Sequence, residues 1–374
     1  MHRIALMYKR TLFSTRRLQP QKSRGLERAV SCILTLNTGD VENFPVQNRK
    51  CGKTGNRETL MKRRKLIIDC DPGVDDALML AYAAAHRDAF EILGVTTVSG
   101  NQDIEKVTRN ALDLTSFYGM EVPVARGMGA PLVKEPQYAP ETHGESGLGS
   151  CTLPLSFREA EKEPAVLFIY RTLSGLLEGE KATLVATGPL TNIAVLLRLF
   201  PEIKKKIEEI LFMGGSLCGG NVTPAAEFNF YADPEAAKIV LHAGIPLVMC
   251  GLDVTEQCTL TRRQILKLCQ SGYPVARACG DMMGFSLENT SEKYRGETSV
   301  HDVVPLMYLI SPEIFSGTPQ ILDVDCSNGP ARGAALGGFR WWRDEESEAN
   351  VFALTGADRE KFQESLISAL YNET

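Results

Sequence analysis

The chain lacks the sequence features of several common classes of protein. Its ten cysteines include no C-x-x-C pair and no regular spacing, so neither a zinc site nor a disulfide framework is indicated. No apolar run approaches the roughly 18 residues that span a membrane. Basic residues are not in excess either, since the formal charge is -5 and the pI about 5.7, which argues against a nucleic-acid-binding face. These absences favour a globular protein of a reducing compartment, expected in the cytoplasm, with a small-molecule substrate and without nucleic-acid or membrane partners.

The first sixty residues differ in composition from the rest of the chain. Between Met1 and Gly39 the only acidic residue is Glu27, whereas lysine and arginine recur throughout. This composition is typical of a transit peptide, which would direct the protein to mitochondria, and it is equally typical of a disordered extension. Met61 offers an internal start just before the first apolar run. We therefore expect a basic extension over residues 1–60 and one catalytic domain over residues 64–374.

After Arg64, short β-branched apolar runs alternate with longer amphipathic stretches. The short runs predict strands at 65–69, 92–98, 182–186, 209–213, 245–251, 320–325 and 350–354. The longer stretches predict helices at 74–86, 104–118, 165–177, 190–199, 234–242, 262–269 and, after a further helical stretch, 303–310. This alternation predicts an α/β fold with an open, mostly parallel sheet and helices on both faces.

Polar residues follow the ends of five of the predicted strands. In an open α/β sheet, ligands bind in the crevice outside the carboxyl ends of the strands. The polar residues at these ends are found at 69–76, 99–101, 187–188, 214–215 and 253. Their agreement in position predicts a binding cleft at that edge of the sheet.

Four carboxylates are concentrated in the segment IIDCDPGVDDAL, residues 67–78, namely Asp69, Asp71, Asp75 and Asp76. The start of a helix accommodates Asp75 and Asp76, by about 0.3–1 kcal/mol each. Two carboxylates about 4 Å apart repel by roughly 1–4 kcal/mol, so three or four of them exceed what one helix end can offset. The acids therefore either point into water or surround a cation. Oxygen ligands alone favour Ca²⁺ or Mg²⁺.

The run DCDPGVDDA resembles the aspartate signature of the inosine-uridine preferring nucleoside hydrolases. The resemblance extends from about Lys65 to the C-terminus, through VSGN, HGESGLG, ATGPLTN, LFMGG, GNVTPAAEFNFYADPEAA and VHDVVPL in the family's order. It implies the Rossmann-like open α/β fold of that family, a tightly bound Ca²⁺, and hydrolysis of nucleosides such as inosine or uridine to ribose and free base. It also implies a homodimer or homotetramer.

The resemblance assigns roles to individual residues. Asp71, Asp76, the backbone carbonyl of Thr187 and Asp302 would hold calcium together with a water molecule and two ribose hydroxyls. Asp71 would also take the proton from that water, and Asp69 would orient the other groups. The residues expected to contact the substrate are Asp75, Asn101, Asn221, Glu227 and Asn229 at the ribose, Met213 and Phe228 at the sugar and base pocket, and His143 and His301 on the base side.

The chemistry of N-glycosidic cleavage agrees with these roles. The transition state carries positive charge on the ribosyl ring and negative charge on the departing base. A water molecule made more acidic, a carboxylate base and a donor for the leaving base are therefore needed. Oxygens of Asn229 and Glu227 near the ring would stabilise its charge. His301 would be the leaving-group donor, although a histidine beside a helix start also commonly has a purely structural hydrogen bond.

Two other functions stay open from the sequence. An Mg²⁺-dependent aspartate phosphatase also places paired acids after its first strand, but it would need a phosphate-binding Lys or Arg that these strand ends do not offer. A catalytically silent ribose- or nucleoside-binding protein would keep the pocket without turnover, against which the presence of Asp71 and His301 argues. The segment 285–295, with Tyr294, is either a lid over the base or an ordinary exposed helix end.

Overall fold

The computed structural model describes residues 63–289, 296–337 and 348–371. The expected N-terminal extension, residues 1–60, and Tyr294 of the expected lid lie outside these described residues. None of the helices found within them has both the length and the apolar character that a membrane crossing requires.

Twelve strands are found in the described residues. In chain order they are β1 Arg64–Cys70, β2 Phe90–Thr97, β3 Val124–Arg126, β4 Ala182–Ala186, β5 Ile207–Met213, β6 Leu247–Cys250, β7 Thr259–Thr261, β8 Glu297–Ser299, β9 Phe315–Gln320, β10 Leu322–Val324, β11 Ala335–Gly337 and β12 Val351–Ala357. Eight of them form one sheet in the order β3-β2-β1-β4-β5-β6-β12-β9. Only the β12–β9 pair of this sheet is antiparallel. The prediction of an open, mostly parallel sheet is confirmed.

The α-helices of the described residues surround this sheet. They are α1 Val74–Ala85, α2 Ile104–Phe117, α3 Pro140–His143, α4 Ala165–Ser174, α5 Thr191–Leu199, α6 Phe228–Ala232, α7 Pro234–Leu241, α8 Leu252–Thr255, α9 Arg262–Cys269, α10 Pro274–Asn289, α11 Val303–Ile310 and α12 Arg359–Leu370. Each of the helices predicted from the sequence has its counterpart among them, with ends that differ by a few residues.

The two faces of strand β1 belong to two different hydrophobic cores. Leu66 and Ile68 join the core that contains residues of α1, α10, α11 and α12. Ile67 joins the core that contains residues of α4, α5 and α7. Because successive side chains of a strand point to opposite faces, a strand covered by helices on both sides must be apolar at every position. The continuous apolar run of β1 follows from this.

The strand order reverses between β1 and β4. From β1 the chain continues outward through β2 and β3, and it then returns to β4 on the other side of β1. Asp69 pairs in register with Thr96 of β2 and with Ala186 of β4, so the three strands end at the same level. Such a reversal opens a crevice at the carboxyl ends of the strands. The segments that follow β1, β2 and β4 therefore meet at one place.

The strand predicted over residues 320–325 is present as β10 Leu322–Val324, but it lies outside the main sheet. Strand β9 ends at Gln320, and β10 pairs with β11 in a separate two-stranded sheet. The backbone N–H of Leu322 donates to the Asn350 side chain at 2.8 Å, which takes the chain out of the main sheet at this point. The sequence also did not indicate β9, whose Gly317 and Pro319 are unfavourable in a central strand but acceptable at an edge.

Candidate active site

Asp71 follows β1 and is buried at the crevice between β1 and β4. Its Oδ2 accepts a hydrogen bond from the backbone N–H of Asn101 at 2.7 Å, and the Asn101 side chain donates to the Asp71 carbonyl at 3.1 Å. Its Oδ1 is buried without a hydrogen-bond partner among the described residues. A buried carboxylate oxygen without a partner is costly, so Oδ1 is an atom to which a ligand or an ion could bind.

Two glycines leave the space that this carboxylate occupies. A Cβ at Gly100 would lie 2.1 Å from Asp71 Oδ2, and a Cβ at Gly188 would lie 2.7 Å from Asp71 Oδ1. Both distances are far below van der Waals contact. The backbone at these positions therefore packs directly against the two carboxylate oxygens, which only glycine permits without a shift of Asp71.

Three further carboxylates converge beside Asp71. Asp75, Asp76 and Asp302 are buried, and each offers an oxygen within 4.8 Å of the others. Asp76 accepts hydrogen bonds from the backbone N–H of Gly73 at 3.0 Å and from the Thr187 hydroxyl at 2.7 Å. Like Asp71, Asp75 has a buried oxygen, Oδ1, with no partner in the described part of the chain. Asp302, which is distant in sequence, thus joins the acids of the first strand end.

The cluster is unfavourable for negative charge. Burial, followed by the charge of Asp76, raises the pKa of Asp71 well above its usual range. Burial and the charge of Asp75 raise the pKa of Asp76 to about 6. Burial and the charges of Asp75, Asp76 and Asp71 raise that of Asp302. A divalent cation would remove this penalty, and the all-oxygen set of carboxylates fits a hard ion such as Ca²⁺.

Thr187 follows β4 and contacts these acids through its hydroxyl, which donates to Asp76. The Thr187 N–H donates to the Asp69 carbonyl at 2.9 Å, and the Thr187 carbonyl accepts from Asn229 Nδ2 at 2.8 Å. A carbonyl oxygen has two lone pairs, so it could still bind an ion. Asn229 Nδ2 also donates to the Met213 carbonyl at 3.1 Å. Since the amide nitrogen is committed to two carbonyls, the amide oxygen is the atom left for a ligand.

Glu227 caps the start of α6. Its carboxylate accepts backbone hydrogen bonds from Gly215 at 2.8 Å, Asn229 at 2.9 Å and Phe230 at 3.1 Å. Burial raises the pKa of Glu227, and these three N–H groups act in the opposite direction. A short stretch of helix with a capped start thus fixes both Glu227 and Asn229 at the site.

Asn221 and Phe228, two of the expected substrate contacts, are more exposed than the acids of the site. Asn221 lies in an exposed loop, where its Oδ1 accepts the Phe228 N–H at 3.0 Å. Phe228 itself is half-buried. The buried Met213 contacts Asn229, whose Nδ2 donates to its Sδ at 3.5 Å. The contact of Asn221 with ribose stays a prediction.

His143 is held as a neutral hydrogen-bond donor. The backbone N–H of Val74 lies 3.2 Å from Nδ1 of His143. Since an N–H can only donate, Nδ1 is the acceptor, and the ring proton of the neutral imidazole is on Nε2. Burial lowers the pKa of His143, which favours this neutral form. Its Nε2–H can therefore donate to an acceptor on a substrate.

His301 is the second histidine expected on the base side. Its Nδ1 is 2.8 Å from the hydroxyl of Thr255, and its side chain is half-buried directly before Asp302. The charge of His301 contributes to lowering the pKa of both His143 and Glu227, so these three side chains are electrostatic neighbours.

Several residues around the acids were missed by the sequence prediction. Asp69 Oδ1 accepts hydrogen bonds from the hydroxyl of Thr96 at 2.5 Å and from Asn192 Nδ2 at 2.8 Å. Burial raises the pKa of Asp69 to about 6, against the effect of these two bonds. Asn192 also accepts from the backbone of Met128 at 2.9 Å. The sequence could have indicated Asn192, because it is the last residue of the ATGPLTN motif. No motif of the sequence indicated Thr96 or Thr255.

Known proteins resemble this chain over most of its length. The family model described as inosine-uridine preferring nucleoside hydrolase matches residues 66–364. The pyrimidine-specific ribonucleoside hydrolase RihB of Escherichia coli is 41% identical over 277 residues, which are 74% of this chain and 88% of that protein.

Solved structures agree in fold. The purine-preferring ribonucleoside hydrolase of Gardnerella vaginalis has a TM-score of 0.76 and 32% identity, and the match covers 82% of this chain and 98% of that one. An inosine-guanosine nucleoside hydrolase has a TM-score of 0.75 and 29% identity over 83% of this chain and 100% of that one.

Proposed function

The chain belongs to the inosine-uridine preferring nucleoside hydrolase family, and we propose from this premise which of its residues carry the reaction. It is a ribonucleoside hydrolase, which cleaves the N-glycosidic bond of ribonucleosides to release ribose and the free base. The residue assignments depend on one observation: the buried Oδ1 of Asp71, which has no hydrogen-bond partner within residues 63–289, 296–337 and 348–371, lies beside the cluster of Asp75, Asp76 and Asp302.

Calcium is the proposed ion of this site. Asp71, Asp76, the Thr187 carbonyl and Asp302 would hold it, with Asp75 close by. This assignment is supported by the convergence of three buried carboxylates and by the Oδ1 atoms of Asp71 and Asp75, which have no hydrogen-bond partner in the part of the chain that the structure describes. A bound Ca²⁺ supplies positive charge that lowers the pKa of a water molecule and favours the ionised carboxylates.

Asp71 is the proposed general base. Its Oδ2 is fixed by the Asn101 N–H, so its Oδ1 is held in one direction and can accept a proton from the attacking water. The side chains of Asp75 and Asn101 on one side, and of Glu227 and Asn229 on the other, would bind the ribose and stabilise its developing positive charge.

The two histidines are proposed to act on the base. His301 would give a proton to the departing base, and the neutral His143 would donate a hydrogen bond to it from Nε2. The hydrogen bonds at the Nδ1 atoms of both rings support these roles, because they leave the two Nε2 atoms for the substrate. Met213 and Phe228 would line the pocket for the sugar and base.

We further propose a preference for pyrimidine ribonucleosides. It is supported by the 41% identity with the pyrimidine-specific enzyme over 74% of this chain. Ribose release should be measured with uridine, cytidine, inosine and guanosine in the presence of calcium. We expect kcat/KM to be about 10-fold or more higher for the two pyrimidine nucleosides, a ratio that one or two pocket contacts can supply. Equal or higher values for the purine nucleosides would contradict this preference.

The same assay distinguishes a nucleoside hydrolase from a binding protein and from a phosphatase. Release of ribose from none of the four nucleosides, together with tight binding of one of them, would indicate a binding protein without turnover. Release of phosphate from a phosphoester would indicate a phosphatase. A homodimer or homotetramer and a cytoplasmic location stay predictions, to be measured by light scattering and by fractionation.

Removal of the ion is expected to lower thermal stability, and more strongly at higher pH. Burial raises the folded-state pKa of Asp76 from 3.8 to about 6, and that of Asp71 and Asp302 further, so the metal-free folded state binds protons more tightly than the unfolded state. The contribution of these carboxyl groups to the free energy of unfolding is then fully present below about pH 4, and it is lost as the pH rises through 6 and beyond. Calcium should offset this loss.

Thermal unfolding with calcium and with a chelator, at pH 6, 7 and 8, measures this effect. We expect Tm to fall by about 5 °C or more on chelation at pH 8 and by less at pH 6. An equal Tm with and without chelator at all three values of pH would show that these acids hold no divalent ion.

A further inference from the structure

The hydroxyl of Thr255 is the partner of His301 at the edge of the active site. Its Oγ1 lies 2.8 Å from Nδ1 of His301, although the two residues are 46 positions apart. Thr255 is completely buried at the end of α8, just after strand β6. A buried hydroxyl that faces the ring of a half-buried histidine holds that ring in one orientation at little entropic cost, because a threonine side chain has few rotamers.

The backbone around both partners is fixed independently of this bond. The Thr255 N–H donates to the carbonyl of Gly251 at 3.0 Å within the short helix. On the other side, the N–H of Val300, directly before His301, donates to the carbonyl of Cys258 at 2.8 Å. The two segments are therefore joined just beside the Thr255–His301 pair. Removal of the hydroxyl alone should leave the chain in place and release only the ring.

A hydroxyl suits a proton-donating histidine better than a carboxylate would. It can accept a hydrogen bond from Nδ1–H when the ring is protonated, and it can donate one to Nδ1 when the ring is neutral. The same ring orientation is thus compatible with the histidine before and after it gives up the Nε2 proton. A carboxylate partner would favour the charged ring and oppose that step.

We propose that Thr255 is a positioning residue for the leaving-group step. Through its bond to Nδ1 it holds the imidazole of His301 so that Nε2 faces the departing base. The proposal rests on the leaving-group role assigned to His301 above. It assigns no direct contact between Thr255 and the substrate.

Thr255→Val and Thr255→Ser test the proposal, because valine keeps the shape of the side chain and serine keeps the hydroxyl. With uridine and inosine, we expect Thr255→Val to lower kcat by about 10- to 100-fold, the range for a misplaced catalytic group. With p-nitrophenyl riboside, whose leaving group needs no protonation, the loss should stay below about 3-fold. Serine should restore most of the nucleoside activity. Equal losses on both kinds of substrate, or no loss on either, would overturn the proposal.

Thr259→Val is the matched control. Thr259 is a buried threonine of β7 whose hydroxyl donates to Glu297 at 3.3 Å, outside the acidic site. The Thr259→Val substitution should leave the ratio of nucleoside to p-nitrophenyl riboside activity unchanged. If Thr255→Val does not fold, Thr255→Ala gives the same comparison, with p-nitrophenyl riboside activity as its own test of folding.

His301→Ala separates this proposal from the one on which it rests. If His301→Ala selectively slows nucleosides and Thr255→Val does not, only the role of Thr255 fails. If His301→Ala slows both kinds of substrate equally, the leaving-group role of His301 fails first. When both roles hold, the double variant should be no slower on uridine than His301→Ala alone, since Thr255 would then have no ring to position.

Discussion

Replacement of Asp71 with Asn or Ala is expected to reduce ribose release from every nucleoside by about 10⁴-fold or more, the upper range for loss of a general base. Asp71→Asn is the sharper of the two variants. Its amide oxygen can still accept the backbone N–H of Asn101, as Asp71 Oδ2 does, so the local structure has its hydrogen bond. It cannot take a proton from water, and it offers no negative charge to an ion.

The loss should be equal for nucleosides and for p-nitrophenyl riboside, because activation of the water does not depend on the leaving group. Asp113→Asn is a suitable control, since Asp113 is also buried but forms its ion pair with Arg109 on α2. It should retain most of the activity. Near-normal turnover by either Asp71 variant, with unfolding curves that match the parent protein, would exclude Asp71 as the base.

His301→Ala should show the opposite dependence on the substrate. We expect a loss of about 10²- to 10⁴-fold in kcat for inosine and uridine, the range for general acid catalysis. With p-nitrophenyl riboside the loss should be less than about 10-fold, because nitrophenolate departs without a proton. Steady-state rates for both kinds of substrate give the ratio directly.

His242→Ala provides the control for this measurement. His242 follows α7, and its Nε2 contacts Asp323 at 3.3 Å, away from the acidic site. It should change neither rate. If His301→Ala slowed both substrates by the same factor, the histidine would act on the ribose, the water or the fold rather than on the departing base.

The fold was largely predictable because its main strands are covered on both faces. A strand such as β1 must then be apolar at consecutive positions, and this leaves a plain signal in the sequence. Strands at the edge of the sheet leave a weaker signal in the sequence. Strand β3 has only three residues, and β9 contains Gly317 and Pro319, so neither produced a recognisable run. The strand predicted at 320–325 exists as β10, but the sequence did not show that it pairs with β11 outside the main sheet, where the backbone N–H of Leu322 donates to the side chain of Asn350.

The residues of the site that could be predicted are those within recognisable sequence motifs. The acids after β1 and Asp302 were identified from their runs, and the structure brings Asp75, Asp76 and Asp302 together. Residues that act only through a distant partner were not identified. Nothing in the sequence distinguishes Thr255 from the other threonines. Its role follows from the contact of its hydroxyl with His301, 46 positions away, which a single sequence does not reveal.

The carboxylate cluster also constrains how the protein is made. Asp76 and Asp302 meet in it although more than half of the chain separates them in sequence. A nascent chain on the ribosome holds the first acids long before it holds the last, and contacts of such long range form slowly. Uptake of the proposed Ca²⁺ during refolding should therefore coincide with the final cooperative phase, which a calcium-sensitive dye would report, and fragments that end before residue 302 should take up none.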